Sequence, residues 1–354
     1  MSNKKSNPTI GPVEFSVVDE SMQVSIGRLQ TNANTLLLGL GLLVLLATPA
    51  VFSGYFVGLL VVAFIYGIFA ISVDLVWGYA GILSFGHAAF FGLGAYLMGV
   101  ITTELSLPSI GLLGLVLAFL VPAVVGLVVA GVLFSRGISE EYFTIITLAL
   151  AIVASQAALI LSDVTGGSNG LTEIPPLGVE IPGVMTYIIS HNQYYFVVLV
   201  ALVAVFLIGK RIVQSPFGTT LVGINENETK ISSLGYNPIK YKTIVFGLST
   251  GIAGFAGALY AAYSGFISPP LLGFVLSTEV LVWVLVGGRG TLIGPVIGAT
   301  ALYLAENMFS GMFLNTWVLM LGLLLVVIVL VFPAGIIGVF SIIEKKINKY
   351  LKDT

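Results

Sequence analysis

The chain has 354 residues, of which 57% are apolar and only 8% charged, with a formal net charge of −2 and a mean hydropathy of +1.08. Soluble domains carry about a quarter charged residues, so this composition cannot cover a water-facing surface and excludes a soluble globular protein. There is no cysteine, which excludes disulfides and cysteine-based metal or redox chemistry.

Residues 1–33 are polar and read as an N-terminal segment rather than a signal peptide, because no small-residue cleavage site follows the first apolar run. Apolar blocks then follow at 34–52, 55–76, 79–101, 110–134, 142–161, 194–209, 243–263, 271–287, 291–310 and 316–339. Several approach or exceed the roughly 20 residues that cross a hydrocarbon core, and the alternation of barrel strands is absent. The expected fold class is all-α, a polytopic membrane protein with about ten transmembrane helices. Eight or nine remain open, because the Gly/Pro-broken blocks at 79–101 and 271–310 read equally as re-entrant or merged. The membrane domain is 34–339, followed by a tail at 340–354.

Charge tests the count. With a cytoplasmic N-terminus, ten spans place 1–33, 135–141, 210–242, 288–290 and 340–354 on the inside, and all fourteen Lys and Arg fall there. The opposite loops, 102–109, 162–193, 264–270 and 311–315, hold none, although they carry Glu104, Asp163, Glu173, Glu180 and His191. This is the positive-inside pattern, and it puts both termini in the cytoplasm.

Two loops exceed a mere connection. The outer one, 162–193, contains the turn Thr165 to Gly170, whose Ser168 and Asn169 are candidate contacts for an external binding protein or simply a turn. The inner one, 210–242, opens on Pro216 and Gly218, carries Glu226 and Glu228, and closes on Gly235 and Pro238. Turn and stop residues at both ends leave room for a helix of about 12–16 residues with the two acids near its start. Such a helix either docks on a partner or is an ordinary solvated loop.

No phosphate-binding G-x-x-x-x-G-K-[ST] run and no H-E-x-x-H occurs, so this chain holds neither a nucleotide cofactor nor a metal. No clustered nucleophile and base suggests catalysis. Within the spans, His87 stands with Ser84 and Phe91 at i−3 and i+4, and Glu279 with Trp283 at i+4. Ionisable groups at membrane depth are functional candidates, so these five residues either line a translocation path or bond neighbouring helices. Asp74 reads as capping a turn or pairing with Arg136 or Arg289. A Gly-rich likeness between 78–99 and 247–265 fits two related halves.

Three segments carry a resemblance. Residues 74–99 (DLVWGYAGILSFGHAAFFGLGAYLMG), the inner loop through Tyr260, and 277–299 (STEVLVWVLVGGRGTLIGPVIGA) resemble, in order, the permeases of branched-chain amino acid and urea importers. The type is that of the LivM subunit, and the wording at 234–242 and 283–294 leans to the urea branch. The resemblance implies a non-catalytic transport subunit of an ATP-binding-cassette importer for a small polar solute, urea or a short amide first and branched-chain amino acids next. It implies a LivH-like second permease, an external solute-binding protein and two ATPase subunits, which hold the ATP and Mg. Membrane lipid is the remaining partner, and nucleic acid is not one. It also implies that 214–238 couples to the ATPase, with Glu228 seven residues before Gly235 as the family pattern has it. Thr229, Lys230 and Ile231 depart from the small residues usual there. The alternative is a self-sufficient secondary transporter or channel.

A chain without cysteine suits single-cysteine labelling. Ser168→Cys is expected to react with an impermeant thiol reagent on intact cells and Ser233→Cys only after permeabilisation. Labelling of position 233 from outside would overturn the topology.

Overall fold

A computed structural model describes residues 45–105, 110–181 and 185–310, together with 322 and 335. The chain divides into two units, Met1–Phe52 and Ser53–Thr354. In the first, residues 45–51 are helical. Most of the apolar blocks at 34–52 and 316–339 lies outside the described residues.

The second unit is built on helices α1 (Gly54–Asp74), α2 (His87–Leu105), α3 (Ile110–Ser135), α4 (Glu140–Ile160), α5 (His191–Val213), α6 (Pro216–Ser233), α7 (Pro238–Ser264), α8 (Phe274–Gly287) and α9 (Ile293–Ser310). A π-helical turn, Leu75–Tyr79, prolongs α1. Strands β1 (Gly178–Ile181) and β2 (Met185–Ile188) pair antiparallel, Gly178 opposite Ile188, as a small hairpin in the outer loop. Among the described residues, five helices are long and apolar enough to cross a membrane, spanning Gly54–Tyr79, Gly111–Ser135, Glu140–Ile160, Asn192–Val213 and Pro238–Ser264. The architecture is that of an all-α polytopic membrane protein.

Local signals set the ends. Ser190 and Gln193 form a capping box at the start of α5. Ser215 and Asn237 cap α6 and α7, each followed by Pro at the first helical position, where its missing N–H is harmless. Gly265, at φ 68°, closes α7 in the left-handed conformation.

The basic loops gather at one end. Lys242 reaches Glu140 and Glu228, Gly81 lies against Asn225, and Gly290 lies against Gly78. At the other end Leu171 bridges Ile267, and the Ile174 amide donates to the Gly265 carbonyl. The fold therefore sorts these loops as the charges do.

The buried α7 is the core of the unit, packed against α2, α3 and α1. Pro122 inside α3 has no N–H for the Ala118 carbonyl, and Gly254 of α7 lies against that carbonyl and the Pro122 ring. On its other side Gly254 meets Gly94 of α2 backbone to backbone. The two Gly-rich stretches thus pack on one another.

Two apolar blocks are not plain helices. Block 79–101 begins in the π-helical turn, residues 81–86 lie outside any helix, and α2 starts only at His87. In block 271–287, α8 has 14 residues, about 21 Å, which is short of a roughly 30 Å core. A 3₁₀ turn, Pro269–Leu272, precedes it. The turn between α8 and α9 is capped by Asp74, whose carboxylate accepts from the Gly290 amide at 2.6 Å and the Leu292 amide at 2.9 Å. Arg289, on the same turn, stands over the Trp77 ring at 5.1 Å. A Cβ at Gly78 would collide with the Asp74 carboxylate and lie 2.7 Å from the Gly290 nitrogen. Gly78→Ala is expected to destabilise the detergent-solubilised protein by about 1–3 kcal/mol through overpacking. An unchanged thermal midpoint would show that this contact is not needed.

Candidate functional site

Toward the end of the unit away from the basic loops, five helices bring aromatic and acidic side chains together at membrane depth. Tyr66 of α1 lies 4.8 Å from the Trp283 ring of α8, 5.3 Å from Tyr303 of α9 and 6.0 Å from Tyr260 of α7, with Phe91 of α2 at 6.2 Å. Tyr66 and Tyr260 share a hydrogen bond, and Glu279 and Glu306 stand within electrostatic reach of Tyr66 and of one another. Tyr66 and Trp283 are buried, whereas Glu279, Tyr303 and Glu306 are half-buried. A ring of π faces beside two carboxylates suits a cationic head group and an adjoining apolar side chain. Of this group, Phe91, Glu279 and Trp283 carry sequence signals, because one charge and two large aromatics stand out in apolar spans. The three tyrosines had none, since their neighbours are other helices.

Ser84 and His87 lie at the start of α2, apart from this cluster, and Phe91 is the one of the three that reaches it. All three are almost wholly buried, at 1%, 1% and 0% exposure. Ser84 precedes the helix, so it does not share a helical face with His87; its hydroxyl accepts from the Gly86 amide. The Ser249 hydroxyl donates to the Ser72 carbonyl, so at its 2.8 Å contact with His87 it accepts from Nε2. His87 is thereby tied through Ser249 to α7 and α1.

At the basic end, α6 is longer than expected, 18 residues, and is bent at Asn227 (φ −161°, ψ 95°). The Asn227 side chain accepts from the Lys230 amide and starts a second limb. Glu226 and Glu228 therefore flank a corner; they are not near the helix start, as the spacing suggested. The first limb is anchored by buried Leu221 and Ile224 and by Gly218, packed on the Val213 backbone. Pro216 opens it, and Gly235, at φ 91°, ends the second limb. From Glu228 to Asn237 every side chain but Ile231 is exposed, and Ile231 packs on Gly223 across the corner. Glu228 is not free: its carboxylate takes a 2.8 Å bond from Lys242. Ser168 and Asn169 are exposed, on a 3₁₀ turn between Gly166 and Gly170.

A family model described as branched-chain amino acid transport system / permease component matches residues 55–330. The chain is 30% identical over 316 residues to a high-affinity branched-chain amino acid transport system permease protein LivM of Salmonella typhimurium, covering 84% of this chain and 73% of that protein. It is 23% identical over 339 residues to a probable LivM of Methanocaldococcus jannaschii, covering 82% and 95%. It is also 23% identical over 285 residues to the LivH permease protein of Escherichia coli, covering 77% and 91%. No solved structure matches significantly.

Ser249→Ala removes the acceptor of the His87 Nε2–H inside a buried site. Its expected effect is a loss of about 1–3 kcal/mol in stability, read as a lowered thermal midpoint. An unchanged midpoint would show that His87 does not depend on this bond.

Proposed function

The chain belongs to the branched-chain amino acid transport permease family, and from that premise we propose that it is the LivM-like half of an ATP-driven importer's permease pair. Its membrane domain, 34–339, pairs with a LivH-like permease, and its similarity to proteins named LivM and to one named LivH supports two related halves. ATPase subunits supply the energy, and an external binding protein delivers solute near Ser168 and Asn169.

The observation that carries the reading is the cornered α6. A bent helix projects an exposed limb from the basic end, and exposure on nearly all faces is what a segment docked in a partner's groove shows when that partner is removed. Segment 214–238, with Pro216, Gly218, Glu226, Glu228 and Gly235, is accordingly the coupling element.

For the solute, the relatives' names favour a branched-chain amino acid, and the urea reading stands only on the wording of 234–242 and 283–294. The aromatic and carboxylate cluster also fits an α-amino acid better than urea. It offers Glu279 and Glu306 for an ammonium group, and Tyr66, Tyr260, Tyr303 and Trp283 around it.

Solute-stimulated ATP hydrolysis by the assembled complex in lipid tests the reading. Leucine is expected to stimulate and urea is not, and Glu279→Gln should raise the leucine concentration for half-stimulation about tenfold, as loss of a charge-assisted contact does. Stimulation by urea alone would assign the urea branch. Leucine uptake with no ATPase present would overturn the importer reading.

A further inference from the structure

We propose that Lys242 is a positioning residue that fastens the exposed limb of α6 to the first residue of α4, and so makes α4 the rod that links coupling to both helix breaks. The proposal rests on the coupling reading of 214–238. Lys242 lies in the first turns of α7 and is 3% exposed. Its ammonium donates to Glu140 at 2.7 Å and to Glu228 at 2.8 Å, and lies 5.6 Å from the Phe134 ring centroid. Glu140 begins α4, and Glu228 is the first residue past the Asn227 corner. One ammonium of α7 therefore joins α6, its neighbour in the chain, to the start of α4, 102 positions from Lys242.

Charge makes the joint decisive. A 480 Å³ cleft between the α3–α4 turn and α6 is lined by Glu140, Glu141, Glu226 and Glu228, with Lys242 the cation among them. With Lys242 neutral, the two carboxylates it holds would face each other and repel, so the limb and α4 would part rather than merely loosen. Little else holds the limb, given its exposure beyond the corner.

From the joint, α4 reaches both breaks. The Thr144 hydroxyl donates to the Leu83 carbonyl at 2.9 Å, and the Thr147 carbonyl lies against Gly86, in the stretch that leads into His87. About one turn beyond Ala151, Ser155 donates to the Pro269 carbonyl at 3.2 Å, in the turn that leads into α8. Most other side chains of α4 are exposed or half-exposed, its buried positions being Phe143, Thr147, Ala151 and Ala158. A displacement of the limb thus has a continuous path through a rigid helix to the starts of α2 and α8.

The experiment is leucine uptake per ATP hydrolysed by the complete importer in liposomes, for Lys242→Met, Lys242→Arg and Glu140→Gln. A fold defect alone lowers uptake and hydrolysis together and leaves their ratio unchanged. We expect Lys242→Met and Glu140→Gln to lower the ratio roughly tenfold, within the usual range of coupling between sites, with the ATPase still co-purifying. Lys242→Arg keeps the charge and should stay near the wild-type ratio. A wild-type ratio in Lys242→Met, or an Arg variant as poor as the Met variant, overturns the proposal. If Lys242→Met fails to insert, Glu140→Gln decides, because it leaves the Lys242–Glu228 pair in place; a wild-type ratio there overturns it. The coupling reading fails separately, if Glu228→Lys and Gly235→Pro both keep the ATPase bound and turning over.

Discussion

A backbone amide or carbonyl left without a partner at membrane depth costs several kcal/mol, and this chain interrupts its helices there more than once. Each interruption is met by a side chain from a neighbouring helix. Thr144 takes the Leu83 carbonyl, Ser277 accepts from the Ala88 amide at the start of α2, and Ser155 takes the Pro269 carbonyl. Asp74 satisfies two amides of the α8–α9 turn. The breaks are therefore parts of the packing of α1, α4 and α8, and a shift in any of these helices is felt at a break.

That arrangement gives the two short, apolar helix starts, α2 and α8, a common site. Ala88 donates to Ser277 at 3.0 Å, and Phe85 meets Phe274 with ring centroids 5.6 Å apart. Between them and the far end, Phe91 and Trp283 carry the same two helices into the aromatic cluster around Tyr66. The aromatic cluster and the helix breaks are thus on the same two elements. A permease that alternates its exposure needs movement at one end to alter the other, and helices broken at depth supply the joints.

Close backbone approach makes the rest of the unit stiff. Gly254 is in contact with α3 on one side and Gly94 of α2 on the other, and Gly257 abuts the Phe91 carbonyl. Any side chain at these points would push helices apart, which is why glycine recurs in both stretches. Buried α7 is packed on most of its faces, whereas α4 leaves most of its side chains exposed or half-exposed.

By itself the sequence determined that the chain crosses a membrane many times, which loops share an end, that a helix opens at Pro216, and which family it resembles. Those are local or compositional properties: apolar length, the side on which Lys and Arg fall, and turn residues beside a helix. It also marked Glu228, Glu279 and Trp283, because a charge or a large ring is conspicuous against apolar neighbours. Tertiary structure alone decided that His87 is bonded to Ser249, that α6 turns a corner at Asn227, that Lys242 holds Glu140 and Glu228, and that Tyr260, Trp283 and Tyr303 surround Tyr66. Each of these joins residues up to more than two hundred positions apart or depends on where a helix stops. Apolar periodicity cannot register either one, because in a span buried by its neighbours every face is apolar and no pattern says which partner it meets.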